Sequence, residues 1–270
     1  SSFERFRKTL LRTVSFDSLL HLGRGVFGSD FGSVAFVVVN GCPTESRTGV
    51  YRRLFDRHVE VRSLENIRQL FLDSRHGRYV TSQTVLRSLP GARLAYWLSP
   101  AMARAFTQGQ PLGEIAAPKQ GLATADNARF LRQWFEVSRD RSCFDATSRE
   151  AAADSGATWF PHLKGGKFRK WCGNQDYVVN WAHDGAELWD FRPRSVIRNP
   201  DSYFKPAISW SRLTSGDIGF RYSMDGYIPN DKAPFISGSS AGLDLLALLN
   251  ASTTNSMMAV LAPTIMFEIG

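Results

Sequence analysis

The spacing of apolar and polar positions along this chain changes several times, and each change marks an element. Phe3, Phe6, Leu10 and Leu11 recur at helical spacing with Arg5, Lys8 and Arg12 between them, which predicts an amphipathic helix packed on something larger. Phe16 to Leu20 is a short, partly apolar run that opens a sheet, and Ser33 to Val39 (SVAFVVV) is β-rich and apolar on both faces. A strand of that kind is expected to be covered on both sides, inside a wider sheet. Val50 to Phe55 reads as a further strand. Ser63 to Phe71 reads as a helix capped by Ser63, with Leu64, Ile67, Leu70 and Phe71 as its buried stripe. Ser99-Pro100 opens another short helix through Phe106, with proline where its missing N–H costs nothing.

From Gly109 to Ala125 the composition turns to Gly, Ala, Pro, Gln and Thr, and a domain boundary is expected there. Beyond it, Ala128 to Val137 predicts a helix with Phe130, Leu131, Trp134 and Phe135 on its core side. Cys143 to Thr158 reads as a loop or a loosely held helix. From Trp159 to Trp210 aromatic and basic residues interleave. Leu243, Leu245, Leu246, Leu248 and Leu249 make a helix closing near Asn250, and Ser252 to Leu261 makes a second. There is no internal repeat.

Composition narrows the class. With 43% hydrophobic and 12% aromatic residues, 270 residues can bury one large or two modest cores. A net charge of +8 favours a polyanionic partner, provided the charge is concentrated rather than spread. Cys42, Cys143 and Cys172 are odd in number and lack the paired spacing of a zinc site or a disulfide framework, so a reducing, cytoplasmic location is expected. No stretch approaches the run of about 20 apolar residues that spans a bilayer, so no membrane association is expected. The Ser1-Ser2-Phe3 start and the strand-like run from Ile265 to Gly270 are expected to be cut ends of something longer.

Several motifs fail on context. Gly23 to Gly28 is a literal G-x-G-x-x-G, but a strand follows it rather than a helix, so a glycine-rich turn between two strands is expected in place of a phosphate cradle. Transfer of a methyl group to an adenine amine calls for a rigid Asn/Asp-Pro-Pro-aromatic loop, and the chain has no Pro-Pro. Asn199-Pro200-Asp201-Ser202-Tyr203 lacks the second proline and reads as a turn. His21, His58, His76, His162 and His183 form no metal-ligand spacing with one another or with the cysteines, and there is no G-x-S-x-G nucleophile elbow.

Charge is concentrated in two windows. Trp159 to Gln175 holds Lys164, Lys167, Arg169 and Lys170 with no carboxylate, and Gly165-Gly166 lets its backbone approach a partner closely. Phe191 to Arg212 holds Arg192, Arg194, Arg198, Lys205 and Arg212 against Asp201 alone, with Tyr203, Phe204 and Trp210 among them. Together the windows carry most of the surplus charge. Double-stranded DNA is the favoured partner, arginine reaching guanine edges or phosphates and lysine neutralising phosphate. Phe160, Phe168 and Trp171 are expected to be core residues, and a merely solvated face is the plain alternative for the charges.

Six blocks resemble, in order, the adenine-specific DNA methyltransferases of BREX-type phage defence (PglX-like): Leu19 to Phe36 (LLHLGRGVFGSDFGSVAF), Gly49 to Asp56 (GVYRRLFD), Gly121 to Asn127 (GLATADN), Arg129-Phe130-Leu131, Lys164 to Trp171 (KGGKFRKW) and Ser195 to Pro200 (SVIRNP). Ala125 stands where that family has a glycine. The resemblance implies an α/β chain in which residues 1–106 are the C-terminal part of a Rossmann-like methyltransferase sheet and 107–270 are part of an α+β target-recognition domain. It implies that the S-adenosylmethionine and catalytic loops lie upstream, so no catalytic or cofactor-binding residue is carried onto this segment. The whole protein would then methylate adenine in a short DNA site, marking host DNA as self. Other phage-defence subunits or a phage DNA mimic would be further partners. A stand-alone DNA-binding module and a protein-interaction scaffold are the alternatives.

Overall fold

A computed structural model describes residues 3–28, 31–56, 60–214, 216–262 and 266–267. Among the described residues the chain is mixed α/β with three sheets, and it divides into two units, residues 1–109 with 259–264 and residues 110–258 with 265–270. Ser29, Asp30, His58, Ile265 and Glu268 to Gly270, which enter the motifs and ends above, lie outside the described residues.

The first unit begins with α1 (Glu4–Thr13), which runs directly into the long strand β1 (Val14–Arg24). β2 (Gly32–Asn40) returns antiparallel, and β3 (Thr48–Arg53) and β4 (Arg78–Ser82) complete a sheet of order β2-β1-β3-β4. β1 and β3 are parallel because β2 brings the chain back, and residues 41–47 lead from β2 past the start of β1 to β3 on its other side. α2 (Leu64–Leu72), α3 (Gln83–Ser88) and α4 (Pro100–Gln108) follow, each opened by a serine whose hydroxyl accepts an amide: Ser63 from Asn66, Ser82 from Thr84 and Ser99 from Met102. The core is Leu11, Phe16, Leu19, Tyr51, Leu86, Leu89 and Tyr96. Buried Gln83 satisfies three backbone groups at the α1–β1 junction, accepting from the Phe16 amide and donating to the Leu11 and Val14 carbonyls.

Three expectations change here. β2 is an edge strand and is exposed along nearly all of its length, so the apolar run from Ser33 to Val39 is not enclosed; Val37 is 57% exposed. In α1 only Leu11 is fully buried, and Phe3 and Phe6 face solvent. In α2 only Ile67 is buried, while Leu64 and Phe71 are exposed, the Phe71 ring lying under the Arg52 guanidinium.

The second unit contains α5 (Leu112–Ile115), α6 (Asn127–Phe130), β5 (Leu131–Gln133), α7 (Arg149–Asp154), β6 (Trp159–Leu163), β7 (Tyr177–Asn180), α8 (Ala182–Asp190), β8 (Ala207–Trp210), β9 (Phe220–Ser223), β10 (Ile228–Pro229), β11 (Phe235–Ser237) and α9 (Leu243–Asn250). Helix α10 (Ser252–Leu261) follows. The strands form two sheets, of order β10-β6-β7-β5 and β11-β8-β9. The core gathers Leu122, Phe130, Phe160, Val179, Trp181, Leu188, Tyr203, Phe204 and Ile228.

The helix expected over Ala128 to Val137 is absent. One turn capped by Asp126 gives way at Leu131 to a strand paired with β7, then to a 3-10 turn at 134–136, and this leaves Trp134 and Phe135 exposed. Pairing with β7 satisfies the strand's backbone and so overrides a helical side-chain pattern. Ala125, at the glycine position of the resemblance, has φ 59°, the left-handed backbone that glycine would adopt without strain.

Candidate nucleic-acid interface

β6 and β7 pair antiparallel from Trp159↔Asn180 to His162↔Tyr177, and residues 164–176 connect them as a long excursion. The excursion is ordered by its own hydrogen bonds. The Trp171 amide donates to the Phe220 carbonyl (3.0 Å) and the Tyr222 amide to the Trp171 carbonyl (2.8 Å), which fastens the loop to β9. Ser211 accepts from the Gly166 amide and donates to the Gly166 carbonyl, and Asn174 Nδ2 donates to the Lys167 carbonyl. Gly165, Gly166, Trp171, Gly173 and Asn174 all take positive φ, so the path depends on left-handed turns. A Cβ at Gly219 would lie 2.4 Å from the Arg169 carbonyl, so a glycine there is what admits the loop.

The four cations of this loop divide into two kinds. Lys164 Nζ sits 4.3 Å from the centre of the Tyr177 ring, and Lys170 Nζ donates to the Asn250 carbonyl at 2.7 Å. Both are half-buried and tie the loop to its scaffold. Lys167 and Arg169 are exposed. Of the three aromatics expected in the core only Phe160 is there; Phe168 (55% exposed) and Trp171 (53%) face solvent among the cations. Behind them Arg221 is buried beside Ser211 and the Gly219 carbonyl, and burial lowers its pKa to about 10.

The second window follows α8. The Arg192 and Arg194 guanidinium groups lie over Trp189 and Phe191. Arg198 is exposed and its carbonyl accepts the Tyr203 hydroxyl. Lys205 is exposed and adds to the field holding the Glu150 carboxyl below its usual range, after hydrogen bonds from the Glu150 amide and Ser148. Asp201 pairs with Arg149, which also clamps Asp184. The structure thus groups Lys167, Phe168, Arg169 and Trp171 on one loop, while Arg192, Arg194, Arg198 and Lys205 lie on separate turns and Ser211, at the end of the second window, is bonded to that loop. Val196 pairs with Ala123, Leu122 with Pro229–Asn230, and β10 with β6.

The glycine run of 23–28 closes the β1–β2 hairpin, and a Cβ at Gly25 would meet the Arg62 carbonyl at 2.6 Å. A turn pressed onto its own chain and opening no helix does not fit S-adenosylmethionine, so no step of methyl transfer is assigned to these residues. Asn199 starts a turn, with left-handed backbone and a 3-10 stretch over Pro200–Ser202. Among the described residues the cysteines are free, no group of three His, Cys, Asp or Glu could hold a metal ion, and no helix is long and apolar enough to cross a membrane. His162 is fully buried beside Asn230, and desolvation lowers its pKa to about 3, so it is neutral and structural.

Sequence reasoning missed two features. One is the exposure of Phe168 and Trp171, whose signal was the glycine-rich loop around them. The other is a cationic groove in the first unit lined by Arg5, Lys8, Arg12 and Arg87, visible in sequence only as the polar side of α1. Lys8 there pairs with Glu4 at 2.6 Å.

No protein-family model matches the chain. It is 32% identical over 287 residues to the adenine-specific methyltransferase PglX of Lacticaseibacillus casei (strain Zhang), and 30% identical over 285 residues to the adenine-specific methyltransferase BrxX of Escherichia coli O9:H4 (strain HS). Both alignments take in 100% of this chain but only 23% and 22% of the relatives. Along its whole length the chain is a low-identity homologue of these adenine-specific methyltransferases, spanning less than a quarter of each.

Proposed function

We propose that this chain is the DNA-holding segment of a longer adenine-specific DNA methyltransferase of the phage-defence type. Residues 1–106 would complete its Rossmann-like catalytic sheet, and 107–270 would belong to its target-recognition domain. The observation that carries the DNA assignment is the loop 164–174, which presents Lys167, Arg169, Phe168 and Trp171 to solvent without a carboxylate. Lys167 and Arg169 neutralise phosphate directly, whereas Lys164 and Lys170 shape the loop and add to its field. Arg192, Arg194, Arg198 and Lys205 extend the contact. The methyl-transfer assignment, with S-adenosylmethionine as donor held by chain outside residues 1–270, rests on similarity to PglX and BrxX. Methylation of adenine by the full-length protein, with duplex binding that weakens steeply as salt rises, is the test. Salt-independent binding would contradict the phosphate contacts.

A further inference from the structure

Trp171 stands in a left-handed conformation with only partial burial to offset it. Its φ is 74°, in the left-handed region where a bulky side chain is strained. Phe204 shares that backbone (φ 63°) but is fully buried, so close packing compensates for its strain. Trp171 is held instead by two backbone hydrogen bonds to β9, on either side of its bridge to Arg221, with 53% of the residue left in solvent. The result is an indole on a fixed backbone, half exposed. Phe168 is exposed on the same loop, with a ring atom 3.3 Å from where a Gly219 Cβ would sit. Lys167 and Arg169, both exposed, flank Phe168 in the chain, and the buried cation Arg221 bridges Trp171 from β9. Flat apolar faces within an acid-free cationic loop match a nucleobase between phosphates better than an aliphatic or acidic protein surface.

We propose that the Trp171 indole, exposed on the same loop as Phe168, stacks on a nucleobase of bound DNA while Lys167 and Arg169 hold the neighbouring phosphates. This rests on the reading that the second unit binds DNA. The test uses the full-length protein with two fluorescent duplexes of mixed sequence, one fully paired and one with a single unpaired base. Trp171→Gly removes the indole and relieves the left-handed strain, so its melting temperature should equal or exceed that of wild type. Its affinity for the unpaired-base duplex should fall roughly tenfold to a hundredfold, with the salt slope unchanged and the preference over paired duplex lost. Trp171→Phe should restore most of the affinity. Wild-type affinity in Trp171→Gly, or a loss matched by a reduced salt slope, would overturn stacking while leaving DNA binding intact. Failure of wild type to bind either duplex would overturn both.

Discussion

Replacing Lys167 and Arg169 together by alanine should remove two phosphate contacts and leave the fold of the loop in place, since among the described residues neither side chain makes a hydrogen bond or ion pair to it. Each neutralised phosphate contributes about 0.9 to the slope of log K against log salt, so the double variant should lower the slope by about 1.8. Between 50 and 200 mM salt, wild type should therefore lose about twelvefold more affinity than the variant. Lys170→Ala offers the internal contrast. It deletes the hydrogen bond to the Asn250 carbonyl at the end of α9, a loss of about 1 kcal/mol, and lowers the melting temperature by a few degrees. Titration of a labelled duplex at several salt concentrations, alongside thermal unfolding of the same samples, reads both effects. A slope unchanged by the loss of both Lys167 and Arg169 would refute the assignment of these two side chains to phosphate, however much the absolute affinity moved.

Three further outcomes follow from the packing. Ala125→Gly should stabilise the chain by about 1 kcal/mol, because alanine holds a left-handed backbone there; denaturant midpoints lower than wild type would show that the alanine methyl matters more than the strain. His162 is neutral when folded, so below pH about 6.5 the unfolded chain takes up a proton that the folded one refuses until about pH 3. Stability should fall by up to about 1.4 kcal/mol per pH unit across that window, and His162→Gln should abolish this share of the slope, with urea titrations at pH 4.5 and 7 as the check. β2 presents an apolar edge, so a polypeptide of residues 1–270 should self-associate and Val37→Lys should suppress it; light scattering that ignores the lysine would point to another surface.

Where a signal is local, the chain shows it plainly. Ser63 and Ser99 each cap a helix that begins at the next residue, because an accepting hydroxyl within three residues of an unpaired amide acts without reference to the rest of the fold. The leucine run ending at Asn250 is a helix for a similar reason, its apolar positions needing only a face to bury. The glycines of 23–28 mark a turn because left-handed backbone at Gly23, Gly25 and Gly28 suits few other residues.

Burial is not local, and there the pattern misleads. Phe130 to Phe135 has a helical stripe, yet pairing with β7 turns its middle into a strand. SVAFVVV carries the composition of an enclosed strand, but its place at a sheet edge is set by which strands pair beside it. Phe168 and Trp171 are as apolar as Phe160, and only the fastening of their loop to β9 puts them outside. The same fastening separates Lys164 and Lys170, whose charges are tied to a ring and a carbonyl, from Lys167 and Arg169, which remain exposed. Residue type therefore determined the caps, the turns and the sign of the charge. Which rings and cations reach solvent was decided by tertiary structure, because that depends on partners distant in the chain.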